Sequence, residues 1–323
     1  MTGRGSPAFS VVIPTRERPA QLASCLDSLV RAQEPPGGFE VIVVDDGGDA
    51  QLEAVLGPLR DRLELTLLHR PHRGPAAARN AGVQHARGEM LAFTDDDMLV
   101  DPGWLAALAA RSSARPGAAI GGRTVNALAG NRCSRVSQWI VERAYSHHNE
   151  QSDGPRFFAA NNLALPAADF RDLGGFDPAF RTSEDRDLCA RWRESGRPMA
   201  YAPEAVALHA RELDLAGFWR QHFGYGRGAF AHRRASRARG APATDRIQPA
   251  FHLRVMYLGL RRLISDPREA LLIVLWQLAN AAGFLREGLT SIASRLTGGA
   301  NRGTPDAARA ARPTRARPPG SNR

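Results

Sequence analysis

The sequence predicts an α/β fold built on a mostly parallel central sheet with flanking helices, followed by C-terminal helices. Three observations predict it. Short apolar runs recur between residues 9 and 100, separated by helix-length segments. The runs are apolar at nearly every position rather than at alternate ones, the pattern of strands covered by helices on both faces. Three of them end in polar clusters: Pro14-Thr-Arg-Glu17, Asp45-Asp-Gly-Gly48 and Asp95-Asp-Asp97. In open parallel sheets ligands bind outside the carboxyl ends of the strands, so these clusters are expected to converge on one crevice.

The elements follow in order. Phe9-Ser-Val-Val-Ile13, stopped by Pro14, reads as the first strand. Pro19 to Ala32 reads as a helix, with Leu22, Leu26, Leu29 and Val30 on one stripe and Pro19 in its first turn. Pro35-Pro-Gly-Gly38 ends that segment, and Phe39 to Val44 and Leu65 to His69 are the next strands. Gly74 to Ala86 is a helix whose small residues allow close packing on the sheet, and Met90 to Thr94 is the fourth strand. In the second half, Ser183 to Ser195 reads as a helix with Ser183 as N-cap and two acids in its first turn. Ala250 to Ile264 and Arg268 to Leu289 read as two helices split by Asp266-Pro267. The expected organisation is a flexible 1–8, a domain over 9–230, an Arg-rich linker over 231–249, a helical segment over 250–292, and a disordered basic tail over 293–323.

Of the 323 residues, 43% are hydrophobic, which excludes a wholly disordered chain. Cys25, Cys133 and Cys189 are far apart, with no CxxC, so a disulfide scaffold or a zinc knuckle is not expected. The net charge of +10 is concentrated: 297–323 carries six Arg against one Asp, and 227–239 five Arg and no acid. These stretches account for the whole excess. A nucleic-acid partner, which wants a basic face, is not expected. Phe9 to Ile13 is too short for a signal peptide, so the expected location is cytoplasmic.

Three adjacent carboxylates after a strand repel one another and call for a positive neighbour. A hard divalent cation fits, as does a solvated turn capping the next helix. Asp45-Asp46 suits a ribose or base edge, or simply a turn. No GxGxxG follows the first strand, which disfavours a dinucleotide cofactor. Arg79 suits a phosphate or an acidic cluster, or a surface ion pair.

Ser10-Val-Val-Ile-Pro-Thr-Arg-Glu-Arg18, Val41-Ile-Val-Val-Asp-Asp-Gly-Gly48, Gly74-Pro-Ala-Ala-Ala-Arg-Asn-Ala-Gly82 and Phe93-Thr-Asp-Asp-Asp97 together resemble the ordered motifs of family 2 glycosyltransferases of the GT-A fold, a Rossmann-like nucleotide-binding architecture. Asn161-Asn-Leu-Ala-Leu-Pro166, Gly174-Gly-Phe-Asp177 and Glu184-Asp185 extend the resemblance to about residue 225. Arg16-Glu17 departs from the Tyr-Asn often found there, and an Arg plane can stack on a base instead.

The resemblance implies transfer of a sugar from a nucleotide diphosphate sugar to a hydroxyl acceptor, a saccharide or a lipid-linked one, with inversion. It implies a donor site at Pro14, Arg16, Glu17, Asp46, Arg79, Asp95 and Asp96. It also implies Mn²⁺ or Mg²⁺ on Asp97, with Asp95 on the metal or its waters and His209 as a further ligand. Asp185 would be the general base, and Asn162, Glu184 and Trp192 would meet the sugars. Trp219 to Gly228 reads as a mobile flap or a helix end. Arg191-Trp192 lacks the Gln of the processive Gln-x-x-Arg-Trp signature, because Leu188 stands there, so single-sugar addition is implied. A non-catalytic nucleotide-sugar binder and a sugar nucleotidyltransferase are the alternatives; the latter wants a Gly-rich loop that Pro14 to Pro19 lacks.

Ala270 to Leu285 is an uncharged run of 16 residues, short of the about 20 that span a bilayer. With Trp276 and the Arg clusters it reads as a helix lying on an anionic membrane surface, peripheral on the inner face. It also reads as a helix packed on the catalytic domain or in a dimer.

Overall fold

The first strand explains the sheet. β1 (Phe9–Thr15) is buried along nearly its whole length, so both of its faces must be covered. It lies between β2 (Phe39–Asp46) and β4 (Met90–Phe93), parallel to both, and β2 pairs in parallel with β3 (Leu65–Arg70). The computed structural model describes residues 6–48, 51–149, 154–240, 249–261 and 266–299. Among these the sheet has eight strands in the order β3-β2-β1-β4-β7-β6-β8-β5. The remaining strands are β5 (Met98–Val100), β6 (Ala119–Asn126), β7 (Leu163–Pro166) and β8 (Met199–His209). β7 is antiparallel to β4 and β6, and β5 is antiparallel to β8, so the sheet is parallel on one wing and mixed on the other.

Helices α1 (Pro19–Val30), α2 (Leu52–Leu56), α3 (Pro75–His85), α4 (Trp104–Ala114), α5 (Arg132–Asn149), α6 (Ala167–Asp172) and α7 (Glu184–Glu194) follow in chain order. One face of the sheet packs Val11, Ile13, Val41 and Val43 against α1 and α4; the other packs Val12, Ile42 and Val44 against α3 and α7. The small residues of α3 do the work expected of them: a Cβ on Gly82 would meet Val12 Cγ1 at 2.5 Å. Ser183 sits at the N-cap position of α7, but its side chain caps nothing and its backbone is left-handed at φ 69°.

The C-terminal helices are α8 (Leu215–Ala238), α9 (Pro249–Arg261) and α10 (Pro267–Gly299). With α5 they build a third core around Val136, Ile140, Phe218, Val255, Ile273 and Trp276. By its contacts the chain divides into Met1–Glu287 and Gly288–Arg323. Of the second unit, 288–299 is described and is helical.

Several expected boundaries change. Pro7 is buried and the Ala8 N–H donates to Gly37 O at 3.0 Å, so the ordered domain starts before residue 9. Residues 231–238 belong to α8 rather than to a linker, and 293–299 are helical; 241–248 and the tail from 300 lie outside the described residues. Trp219 to Gly228 is the body of α8, neither a flap nor a helix end.

Candidate active site

The carboxyl ends of the parallel strands open into one cavity of about 1210 Å³. Its walls include Pro14, Arg16, Asp46, Arg79, Asp95, Asp96, Asp97, Glu184, Asp185 and His209, which the sequence had singled out. The triplet is not a solvated turn. Asp96 and Asp97 are almost fully buried, and each carboxylate has a separate task. Asp95 is held by Arg79 Nη2 at 2.5 Å. Asp96 accepts from Thr15 Oγ1 at 2.8 Å and from Arg18 Nη1 at 3.2 Å. Burial and the neighbouring Asp97 charge push the Asp96 carboxyl up to about 6, against the pull of Arg18.

Asp97 faces His209, with 3.5 Å between Oδ1 and Nε2. The register makes this pair: Met98 lies opposite His209 where β5 meets β8, and Ala210 N–H donates to Asp97 O at 2.8 Å. Burial opposes ionisation of Asp97, but His209, Arg211 and Arg18 outweigh it and hold the carboxyl down at about 2. Among the described residues no three His, Cys, Asp or Glu groups converge as a ready-made metal shell. Asp95, turned to Arg79, does not join Asp97 as the sequence had suggested. The Asp97–His209 pair still fits a hard divalent ion, because such ions commonly take one or two carboxylates and complete their shell with phosphate oxygens. An imidazole ligand favours Mn²⁺ over Mg²⁺.

Arg79 is the second organiser. It is nearly fully buried, so it is no surface ion pair, and its other arm reaches Glu184 Oε1 at 2.8 Å. Burial works against its charge, yet Asp95 and Glu184 raise its pKa and keep it a cation. It therefore ties the end of β4 to the first turn of α7. Next to Glu184, Asp185 accepts from Ala160 N–H at 3.2 Å and from Arg186 N–H at 2.7 Å. Burial first, then the Glu184 charge, push the Asp185 carboxyl up to about 7. A carboxylate poised there can take a proton near neutral pH.

Some expected site residues do other work. Trp192 is buried in the core under the sheet and donates through Nε1 to Pro198 O at 2.8 Å. Asn162 is fully buried; it accepts from Trp104 Nε1 at 2.8 Å and donates to Ala205 O at 3.0 Å, while its neighbour Asn161 lines the cavity. Neither Trp192 nor Asn162 reaches the cavity. Glu17 is an exposed left-handed residue beside Arg16 and is not in the wall. Asp46 uses its oxygens to fix the turn before α3, accepting from Arg73 N–H at 3.0 Å and Gly74 N–H at 2.7 Å; His72, half-exposed at 2.8 Å, is the partner a ligand could displace.

Sequence reasoning missed Arg18, Arg211, His222 and Tyr225. Arg18 was adjacent to the Arg16-Glu17 motif, and only its ion pairs with Asp96 and Asp97 reveal its part. Tyr225, within Gly-Tyr-Gly, lies in electrostatic range of Arg211, Asp185, Asp97 and Asp95. His222 is fully buried in the wall, and burial lowers it to about 3, so it is neutral.

A sequence model of "Glycosyl transferase family 2" matches residues 10–169. "Glycosyltransferase AglE" of Haloferax volcanii is 30% identical over 212 residues, covering 63% of this chain and 67% of that protein.

The chain belongs to glycosyl transferase family 2.

"Pre-mycofactocin glycosyltransferase" of Mycobacterium tuberculosis is also 30% identical, over 220 residues, covering 64% of this chain and 43% of that protein. The chain thus spans less than half the length of that relative. The GT-A fold agrees with a solved structure titled "Mannosyltransferase PcManGT from Pyrobaculum calidifontis in complex with GDP-Man and Mn2+". It superposes with a TM-score of 0.59 at 21% identity, covering 91% of this chain and 80% of that one.

The family 2 domain carries extra packing at its C-terminal side. α10 turns Leu272, Ile273, Trp276 and Ala279 inward, so Trp276 is a core residue and not an interfacial anchor. Leu271, Val274 and Leu278 are exposed on the opposite side. The Arg cluster of 227–239 is partly engaged by the protein itself: Arg227 pairs with Glu287 at 2.7 Å, Arg239 with Asp187 at 2.8 Å, and Arg233 lines the cavity. Among the described residues no helix is long and apolar enough to cross a membrane.

Proposed function

We propose that this chain transfers a single sugar from a nucleotide diphosphate sugar to a hydroxyl acceptor, with inversion at the anomeric carbon. The observation that carries the reading is the shared cavity: half-buried Asp185, poised near neutrality, and the strand-end carboxylates with their cations face one space. Asp185 takes the proton of the acceptor hydroxyl as its oxygen attacks the anomeric carbon. The bond from that carbon to the diphosphate breaks on the opposite side. Arg18 and Arg211 add positive charge beside the leaving group. Asp97 and His209 would hold a divalent ion, Mn²⁺ in preference to Mg²⁺, which supplies Lewis-acid neutralisation of the departing diphosphate. The Pyrobaculum neighbour carries a donor and an ion of these same classes. Pro14 and Arg16 would flank the base, and Asp46, once His72 moves, the ribose. Arg79 keeps Asp95 and Glu184 fixed, and so positions Asp185 against the donor.

A panel of nucleotide sugars, screened for thermal stabilisation with and without Mn²⁺ and then for sugar transfer or donor hydrolysis, tests the reading. Binding without turnover in any pairing would instead favour a non-catalytic nucleotide-sugar binder. The same proposal extends to a cytoplasmic enzyme held peripherally on an anionic inner leaflet, for which the exposed Leu271, Val274 and Leu278 face of α10 is the support.

A further inference from the structure

The cavity is larger than one small ligand needs; a pocket for a drug-sized molecule is on the order of 300–1000 Å³, against about 1210 Å³ here. Its two parts differ in chemistry. Every carboxylate in its wall comes from the strand ends or the start of α7, whereas α5, α9 and α10 contribute none. This second part starts beside the base: Tyr145 of α5 accepts from Ala159 N–H at 2.6 Å, and the next N–H, of Ala160, is bound to Asp185.

From Tyr145 a line of rings leads away from the carboxylates. Tyr145 and Phe157 are 5.6 Å apart, Phe157 and His148 6.3 Å, His148 and His147 5.2 Å, His147 and Phe251 5.1 Å, and Phe251 and Trp276 6.5 Å. At the mouth of this arm Leu253 and Leu285 expose about two thirds of their surface (69% and 64%). Burial and surrounding arginines lower His147, which favours its neutral form. Gln277 is already engaged by His252 at 3.1 Å.

Resting on the glycosyltransferase reading above, we infer that this arm between α5, α9 and α10 is an acceptor subsite for an apolar group, so that the acceptor is an amphiphile. Its hydroxyl reaches Asp185 while an alkyl or aryl group lies along the rings. The wall is rich in aromatic and aliphatic side chains and carries no carboxylate, with Gln277, Asn280 and the three histidines as its polar members, so it gains from burying hydrocarbon along the rings. The hydrocarbon could be a lipid chain or an aromatic aglycone, since both bury apolar surface in the same way.

The test uses the full chain and methyl, n-octyl and phenyl glucosides below any micelle concentration. Binding is read by quenching of Trp276 fluorescence, assigned with Trp276→Phe. The expected result is octyl or phenyl glucoside binding about tenfold or more tightly than methyl glucoside, a modest share of the hydrophobic gain available to a buried chain. An octyl gain points to a lipid-linked acceptor and a phenyl gain to an aromatic one; either supports the arm. Ala281→Trp, which fills the arm, and Leu253→Ser/Leu285→Ser should bring the octyl-to-methyl ratio towards one. Leu271→Ser/Leu278→Ser, outside the cavity, should leave that ratio alone. Equal affinity for all three glucosides would overturn the inference, as would a larger gain from a series of longer oligosaccharides or loss of the ratio only in the outer pair. Chain-length-dependent binding with no sugar transfer to any acceptor would support the arm and count against the glycosyltransferase reading.

Discussion

Asp185 sits in a wall that withholds water from it and beside a second acid, and both effects raise its pKa. A base must be ionised, so activity should fall as the pH drops. We expect kcat/KM for transfer to rise with pH through an apparent pKa of about 7 and to level off above it. Asp185→Asn should remove that limb and lower turnover by roughly 10²-fold or more, while donor affinity by titration calorimetry stays near that of the parent. A matching loss of donor affinity would make Asp185 structural. Asp97 is held ionised by the opposite balance, and its task differs. Asp97→Ala should abolish the Mn²⁺ dependence of nucleotide binding; if the dependence survives in calorimetry, the ion is held elsewhere. Arg79 acts at a distance from both. Arg79→Ala frees Asp95 and Glu184 together, and we expect it to shift the acid limb of the pH profile upward, because the cation that favours ionised Asp185 is gone.

At the scale of elements, the crossing of α8 and α10 fixes the cavity's far wall. A Cβ on Gly226 would drive into Asn280 O, and one on Gly283 into Phe223 O, so each glycine lets the other helix's backbone come close. Gly228 does the same for the Thr182-Ser183 turn that launches α7, and Thr182 Oγ1 donates to Gly224 O at 2.8 Å. These glycines are packing positions, which is why a Gly-rich stretch that reads as a flap is a helix. Gly283→Val should lower stability by about 1–3 kcal/mol through overpacking, visible as a reduced melting temperature. An unchanged melting temperature would mean that the two helices are not in close contact in solution.

At the scale of the whole molecule, the charge and the apolar surface divide the question of membrane attachment. Arg227 and Arg239 are spent in ion pairs, so salt-sensitive binding should come from the tail. Deleting residues 300–323 should weaken flotation with anionic vesicles at low salt, by up to about 1 kcal/mol for each Arg that lies near the surface. Leu271→Asp with Leu278→Asp should remove what survives high salt. A full-length chain that fails to float at low salt would sink the peripheral proposal.

The sequence by itself determined the first four strands, the helices α1 and α3 between them, the convergence of their ends and the family; β5 to β8 carried no signal that was read. Those signals are local: a fully apolar run ended by Pro14 or by an acidic cluster carries the pattern of a covered strand within its own few residues. It also marked Asp97, Asp185 and His209, because their motifs are short and ordered along the chain. Only the tertiary structure decided which acid does what. Arg18 meets Asp96 across 78 residues and Arg79 meets Glu184 across 105, and no periodicity or spacing encodes such pairs. The same holds for Trp192 and Asn162, whose polar atoms found partners in the core, and for α10, where an apolar run reads alike whether it meets lipid or protein. Burial chooses between those outcomes, and burial is set by what the rest of the chain brings alongside.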